Sequence, residues 1–193
     1  MGKCALFIDA GYLELVRKHI YQRTPIDYNK LIEICAAEHE LLKAFYYNCK
    51  PVIRKGSETA DAEKLAEFEA FLRHLKSIPE LEIRLGRLVY IGDRKDGRPI
   101  FRQQQVDILL ACDFLSLVFT RQITHAILIT GDGDFVPLVE IAKDAGIAII
   151  LWHAEARYLN PYKYLKKICN ERRLFTPDVV ANTTLQPHTG AAP

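Results

Sequence analysis

Four aspartates stand where a loop leaves a structured stretch. Asp9 follows the apolar run of residues 4–8, Asp107 opens an apolar helical stretch, and Asp132 and Asp134 lie in Thr130-Gly131-Asp132-Gly133-Asp134, just after the apolar residues 126–129. Carboxylates crowded together repel one another by roughly a few kcal/mol per pair at ~4 Å and an effective dielectric near 20. A cation must compensate, or some of the groups stay protonated. All-oxygen ligation without His or Cys suits a hard ion, Mg²⁺ or Mn²⁺, and does not suit Zn²⁺. Such an ion keeps several waters and is held by few carboxylates together with substrate phosphate oxygens, which points to phosphoryl transfer. One ion, or two about 3.5–4 Å apart, can serve an in-line displacement at phosphorus by water, with no side-chain nucleophile.

The elements that must position these groups follow from pattern. The bounded apolar run 4–8 reads as a buried strand feeding a helix through Val16 and Ile20. Asp27 is placed to cap a second helix bearing Leu31, Ile34 and Cys35, and residues 42–47 read as a strand. Leu65, Phe68, Leu72 and Leu75 recur at helical spacing within 57–77, ended by Pro79. Alternation over 81–91 predicts a strand or hairpin, and 92–99 a charged loop with an Asp96-Gly97 turn. A helix is expected over 105–119, a strand over 126–129, a helix over 136–144 stopped by Gly146, and a strand covered on both faces over 147–152. Alternating strands and helices predict an α/β fold, a three-layer α/β/α sandwich with a central, mainly parallel sheet. In such sheets ligands bind beyond the carboxyl ends of the strands, which is where the four aspartates fall. Residues 1–175 are expected to form one domain, and 176–193, rich in Thr, Pro, Asn, Gly and Ala, a flexible C-terminal tail.

Three short blocks, Phe7-Ile8-Asp9-Ala10-Gly11-Tyr12, Gln105-Val106-Asp107 with Asp113 six residues on, and Thr130-Gly131-Asp132-Gly133-Asp134-Phe135 leading into Val136-Pro137-Leu138-Val139, together resemble the NYN (LabA-like) branch of the PIN-domain superfamily. The resemblance spans residues 5–170. It implies a PIN-like α/β/α domain and a Mg²⁺- or Mn²⁺-dependent endoribonuclease acting on RNA. Carried over by position, Asp9, Asp107, Asp132 and Asp134 are the implied catalytic and metal-binding acids, with Thr130 beside them. Two positions depart from the pattern: Tyr12 stands where many members have Asn, and Gln104-Gln105 where many have Lys-Gly.

Each residue also has a plainer reading. Asp132 and Asp134 suit a turn that caps a helix, and Asp107 suits the first turn of one. Asp113 lies about 120° around the helix from Asp107, so it is expected to support the site from behind or to serve structure alone. The basic run Arg84, Arg87, Arg94, Lys95, Arg98 and Arg102 could meet phosphates, with Arg84, Arg87, Arg98, Arg102 and Tyr12 the candidate substrate contacts; a solvated loop is the competing explanation. Tyr12, Tyr90, Phe101 and Trp152 could stack bases, although core packing is commoner. His153 is a structural residue before it is a proton carrier. Lys163, Lys166, Lys167, Arg172 and Arg173 suggest an exposed helix face.

The bulk composition narrows the function classes. The net charge of +2 is a near-cancellation of 26 basic and 24 acidic residues, so charge distribution matters more than the total. Five cysteines without a C-x-x-C pair argue against a disulfide framework and for a reducing, cytoplasmic setting. Neither a signal peptide nor an apolar run long enough to span a bilayer is recognisable, so no membrane association is expected. A P-loop, a G-x-G-x-x-G fingerprint and a Ser-His-Asp context are missing, which ranks nucleotide hydrolysis and acyl transfer low. The alternatives to a ribonuclease are a catalytically weak adaptor of the same fold that binds RNA or protein, and a metal-dependent phosphatase or DNA nuclease. A homo-oligomer or a protein partner is compatible with the sequence.

Overall fold

The computed structural model describes residues 2–54, 57–156 and 158–185. Its strands are β1 (Lys3–Asp9), β2 (Glu40–Lys50), β3 (Leu81–Asp93), β4 (Pro99–Gln104), β5 (His125–Ile129), β6 (Ala148–His153) and β7 (Glu171–Leu174). The helices are α1 (Ala10–His19), α2 (Tyr28–Ala36), α3 (Glu58–Leu75), α4 (Val106–Phe119), α5 (Val136–Asp144), α6 (Lys163–Ile168) and α7 (Pro177–Thr183), with one 3₁₀ turn at Gly133–Phe135.

The strands form one seven-stranded sheet in the order β4-β3-β2-β1-β5-β6-β7. Every neighbouring pair is parallel except β3 and β4. Alternation along β1 explains its unbroken apolar run: Cys4, Leu6 and Ile8 join the core on one face with α1 and α2, and Ala5 and Phe7 the core on the other with α4 and α5. A strand buried on both faces has no polar face to show. The expected three-layer α/β/α sandwich is thus the observed architecture.

From β1 the chain goes to β2 on one side, while β5 flanks β1 on the other. This reversal of strand order opens a crevice beyond the carboxyl ends of β1 and β5. Register pairs Ile8 with Ile129, so Asp9 and Thr130 leave the sheet side by side.

Three elements depart from the sequence reading. The loop expected over 92–99 is the turn of a hairpin whose second strand, β4, is mostly exposed. A Pro at the first residue of an edge strand is tolerated there. Strand β7 is Glu-Arg-Arg-Leu, an edge strand with no apolar alternation to announce it. The expected flexible tail is corrected for residues 176–185: Thr176 caps α7 through its side chain, accepting from the Val179 N–H at 3.3 Å, with Pro177 in the first turn. Thr183 is fully buried, 2.5 Å from the Tyr21 hydroxyl, and Val179 and Val180 pack on the core. Residues 186–193 lie outside the described residues.

Candidate active site

Asp9 both ends β1 and caps α1. Its Oδ1 accepts from the backbone N–H of Tyr12 at 3.2 Å, as a carboxylate at an N-cap should, and its Oδ2 accepts from the Thr130 hydroxyl at 3.0 Å. The same hydroxyl oxygen accepts from the Asp132 N–H at 3.2 Å, and Asp132 Oδ1 accepts from the Asp134 N–H at 2.9 Å. A continuous chain of hydrogen bonds therefore joins the end of β1 to the 3₁₀ turn after β5. Asp132 does cap that turn, as the helix-capping explanation expects.

Asp107 enters from the start of α4. Gly86 sets that approach: a Cβ there would lie 2.4 Å from the Gln104 carbonyl oxygen and 2.7 Å from Val106, so only glycine lets α4 close on β3. Gln105, just before α4, has φ +73°, a left-handed conformation. This is the position where glycine was expected from the resemblance, so the turn persists although the residue has changed.

The electrostatics tie the acids together. Burial raises the Asp9 carboxyl above the usual range, the hydrogen bonds from Tyr12, Thr130 and Gly11 work against that, and the charge of Asp107 adds to it. Asp107 is raised by burial, then by the charges of Asp132 and Asp134. The crevice, of about 390 Å³, is lined by Asp9, Asp107, Asp132, Tyr12, Gln103 and Tyr158 among others. Asp9, Asp107 and Asp132 line this crevice, and Asp134, outside its lining, is near enough for its charge to act on Asp107.

Among the described residues, no three His, Cys, Asp or Glu side chains converge as a preformed metal cage. A hard ion that keeps several waters needs only one or two direct carboxylates, and a pair of repelling all-oxygen donors fits that demand. The donor set is therefore compatible with Mg²⁺ or Mn²⁺ and offers nothing to a thiophilic metal.

The remaining candidates divide. Tyr12 is a clamp: its hydroxyl donates to the Leu159 carbonyl at 2.9 Å and accepts from the Ala154 N–H at 3.0 Å, and its ring lies over Gly131, where a Cβ would be 2.6 Å away. Burial pushes its phenol up to about 12, so the proton stays on. The hydroxyl end of the ring is thus fixed by two backbone groups, while the residue forms part of the crevice wall. Arg84 is engaged within the protein: its guanidinium pairs with Asp113 at 2.9 Å and Glu82 at 2.6 Å and lies over the Phe45 ring. Asp113 accepts from Arg84 and from the Tyr47 hydroxyl at 3.1 Å, which makes it structural. Arg87, Arg98 and Arg102 are exposed on the β3–β4 hairpin, with Arg98 paired to Asp96 at 3.5 Å. His153 is buried, and burial with the charge of nearby Lys166 lowers its pKa.

Sequence reasoning passed over Tyr158 and Tyr162. Tyr158, 75% exposed, lines the acidic crevice; Tyr162, 57% exposed, covers Gly133 at 2.8 Å from where a Cβ would be, and its N–H donates to the Gly131 carbonyl. Next to them Asn160, Pro161, Lys163, Lys166, Lys167 and Arg172 surround a second depression that shares Asn160 with the crevice. Interleaved Tyr and Lys over 158–167 was the available signal.

A family model described as the NYN domain matches residues 3–171. A crystal structure described as that of a protein of unknown function from Vibrio parahaemolyticus RIMD 2210633 superposes with a TM-score of 0.60 at 19% identity, covering 95% of this chain and 96% of that one. It shares the fold. No curated protein matches the chain.

Proposed function

The chain belongs to the NYN-domain family, a family with the PIN-like nuclease fold, and on that premise we propose that it is a divalent-metal-dependent endoribonuclease. The observation that carries this reading is the hydrogen-bonded chain Asp9–Thr130–Asp132 at the strand-order reversal, with Asp107 facing it. Asp9, with Asp107, Asp132 and Asp134 around it, would hold Mg²⁺ or Mn²⁺. The ion supplies charge neutralisation at the phosphoryl oxygens and a lowered pKa for water.

The chain's own groups orient and position. Tyr12 N–H and the Thr130 hydroxyl each donate to one oxygen of Asp9 and Gly11 adds a third hydrogen bond, so of a carboxylate's roughly four lone-pair sites about one remains for the crevice. Water forms a bond to phosphorus and gives up a proton to solvent, the P–O bond to the departing ribose oxygen breaks with its electron pair, and that oxygen takes a proton from solvent. Lys163, Lys167 and Arg172 are exposed beside the crevice and are suited to draw in the phosphate backbone. No helix among the described residues is long and apolar enough to cross a membrane.

The test is turnover of RNA, DNA and a small phosphoester side by side, with Mg²⁺, Mn²⁺ and chelator. RNA cleavage that chelation stops, and that Asp9→Asn or Asp132→Asn lowers at least about a hundredfold without unfolding, supports the assignment. Unchanged cleavage in both variants contradicts the site. RNA binding without turnover favours an adaptor.

A further inference from the structure

Behind α1 lies a second, larger cavity of about 550 Å³, within the range of roughly 300–1,000 Å³ common for sites that enclose small molecules. It is not separate from the acidic crevice: Gly11 and Gln103 line both. We propose that this cavity binds one unpaired nucleobase of the RNA strand whose backbone passes through the acidic crevice. The proposal rests on the nuclease reading for what delivers the base, and on the cavity's own chemistry for what fits.

That chemistry has three parts. The wall is aromatic: Tyr28, Tyr46 and Phe71 pack against one another with ring centroids 5.5–5.8 Å apart, all near edge-on. A flat apolar occupant finds ring faces and edges there, as bases do on aromatic platforms.

The lining also holds little to attract phosphate. Its one arginine, Arg17, donates to Glu14 at 2.6 and 2.7 Å and to the Arg23 carbonyl at 2.6 Å. The guanidinium charge is matched by Glu14 within the wall, and with His74 the other basic side chain of the lining, the cavity offers a phosphate no unpaired guanidinium. A sugar-phosphate belongs in the crevice and the base in the cavity.

Finally, the lining has hydrogen-bonding edges suited to a base. Asn48 donates one Nδ2 hydrogen to the Tyr46 hydroxyl at 3.0 Å and accepts from the Cys49 N–H at 2.7 Å, which leaves its carboxamide one donor and one acceptor site. Gln103 sits at the junction, its Nε2 4.0 Å from where a Gly11 Cβ would be. Carboxamides read base edges through such donor–acceptor pairs. A base can enter only if it is unstacked, so the substrate is a single strand, a loop or a bulge rather than a duplex.

Two measurements test this. The first titrates the full chain, in chelator, with the four nucleosides and with ribose 5-phosphate; at least one nucleoside is expected to bind, Phe71→Ala and Asn48→Ala to weaken it tenfold or more with the fold retained, and ribose 5-phosphate not to compete. Competition by ribose 5-phosphate, or nucleoside affinity untouched in both variants, overturns the proposal. The second compares kcat/KM for an RNA with one cut site against versions abasic at each position near it. At one position loss of the base should lower kcat/KM roughly ten- to a hundredfold, mainly through KM, the scale of one stacked base; Phe71→Ala should bring intact and abasic RNA to the same level. Cleavage indifferent to every missing base sinks the pocket and leaves the nuclease standing. Nucleoside binding lost in Phe71→Ala, with no RNA cleaved under any condition, sinks the nuclease and leaves the pocket.

Discussion

The Thr130 hydroxyl donates to Asp9 Oδ2 at 3.0 Å across 121 residues of sequence, and it is fully buried. Removing it leaves an N–H and a carboxylate oxygen short of a partner in a partly buried place, at about 1–3 kcal/mol. Thr130→Val is expected to destabilise by that amount and to cut RNA cleavage, because Asp9 and Asp132 lose the hydroxyl that fixes both. Thr130→Ser should restore most of the activity. Melting and steady-state cleavage of the two variants check it; equal activity in Val and Ser variants would separate the hydroxyl from function.

Tyr12 makes a second prediction. Tyr12→Phe strips the partner from both the Leu159 carbonyl and the Ala154 N–H. A cost of about 1–3 kcal/mol corresponds to a Tm lower by several degrees. Hydrogen exchange should show the Ala154 amide losing protection first.

The acids make a third, through pH. Asp9 and Asp107 titrate above the usual carboxylate range, and both must be ionised to hold a cation. Activity is therefore expected to fall with decreasing pH earlier than unperturbed carboxylates near 3.9 would require. Metal-free stability runs the other way. The fold prefers the protonated acids, so their favourable contribution is present below the unfolded value and is lost as pH rises through the raised folded value. Asp107→Asn removes one repelling charge and should raise the metal-free Tm slightly at pH 7, with the gain vanishing toward pH 4. A Tm unchanged or lowered at pH 7 would deny the repulsion.

The fourth concerns the turn before α4. Gln105 pays for its φ of +73° with backbone strain of about 1–2 kcal/mol that glycine would not carry. Gln105→Gly is expected to stabilise by about 0.5–1 kcal/mol after the extra chain entropy of glycine is offset. Denaturant unfolding reads this directly.

Much of the fold was legible because the strands buried on both faces announce themselves. Residues 126–129 and 147–152 are unbroken apolar runs and became β5 and β6 with shifts of a residue or so. Edge strands β4 and β7 carry arginines and face solvent, so no burial imprinted a pattern on them. The Thr176-Pro177 start of α7 was a readable cap, outweighed by the composition of the chain after it. The positions of Asp9 and Asp132 beyond strand ends were legible from the apolar runs before them, whereas Asp107, in the first turn of α4, was singled out by the resemblance. The partners of Tyr12 and Arg84 were not legible for one reason: whether an aromatic or a guanidinium is engaged depends on groups far away in sequence, Leu159 for one and Asp113 for the other.

The most direct test of the central claim, that these aspartates meet because a divalent ion belongs between them, is a crystal soaked in Mn²⁺ and measured at a wavelength where manganese scatters anomalously. A peak is expected at roughly 2.0–2.3 Å from a carboxylate oxygen of Asp9, within reach of Asp107 or Asp132 directly or through a water, and absent in Asp9→Asn. Manganese found only elsewhere on the molecule, or a peak unchanged in Asp9→Asn, would contradict it.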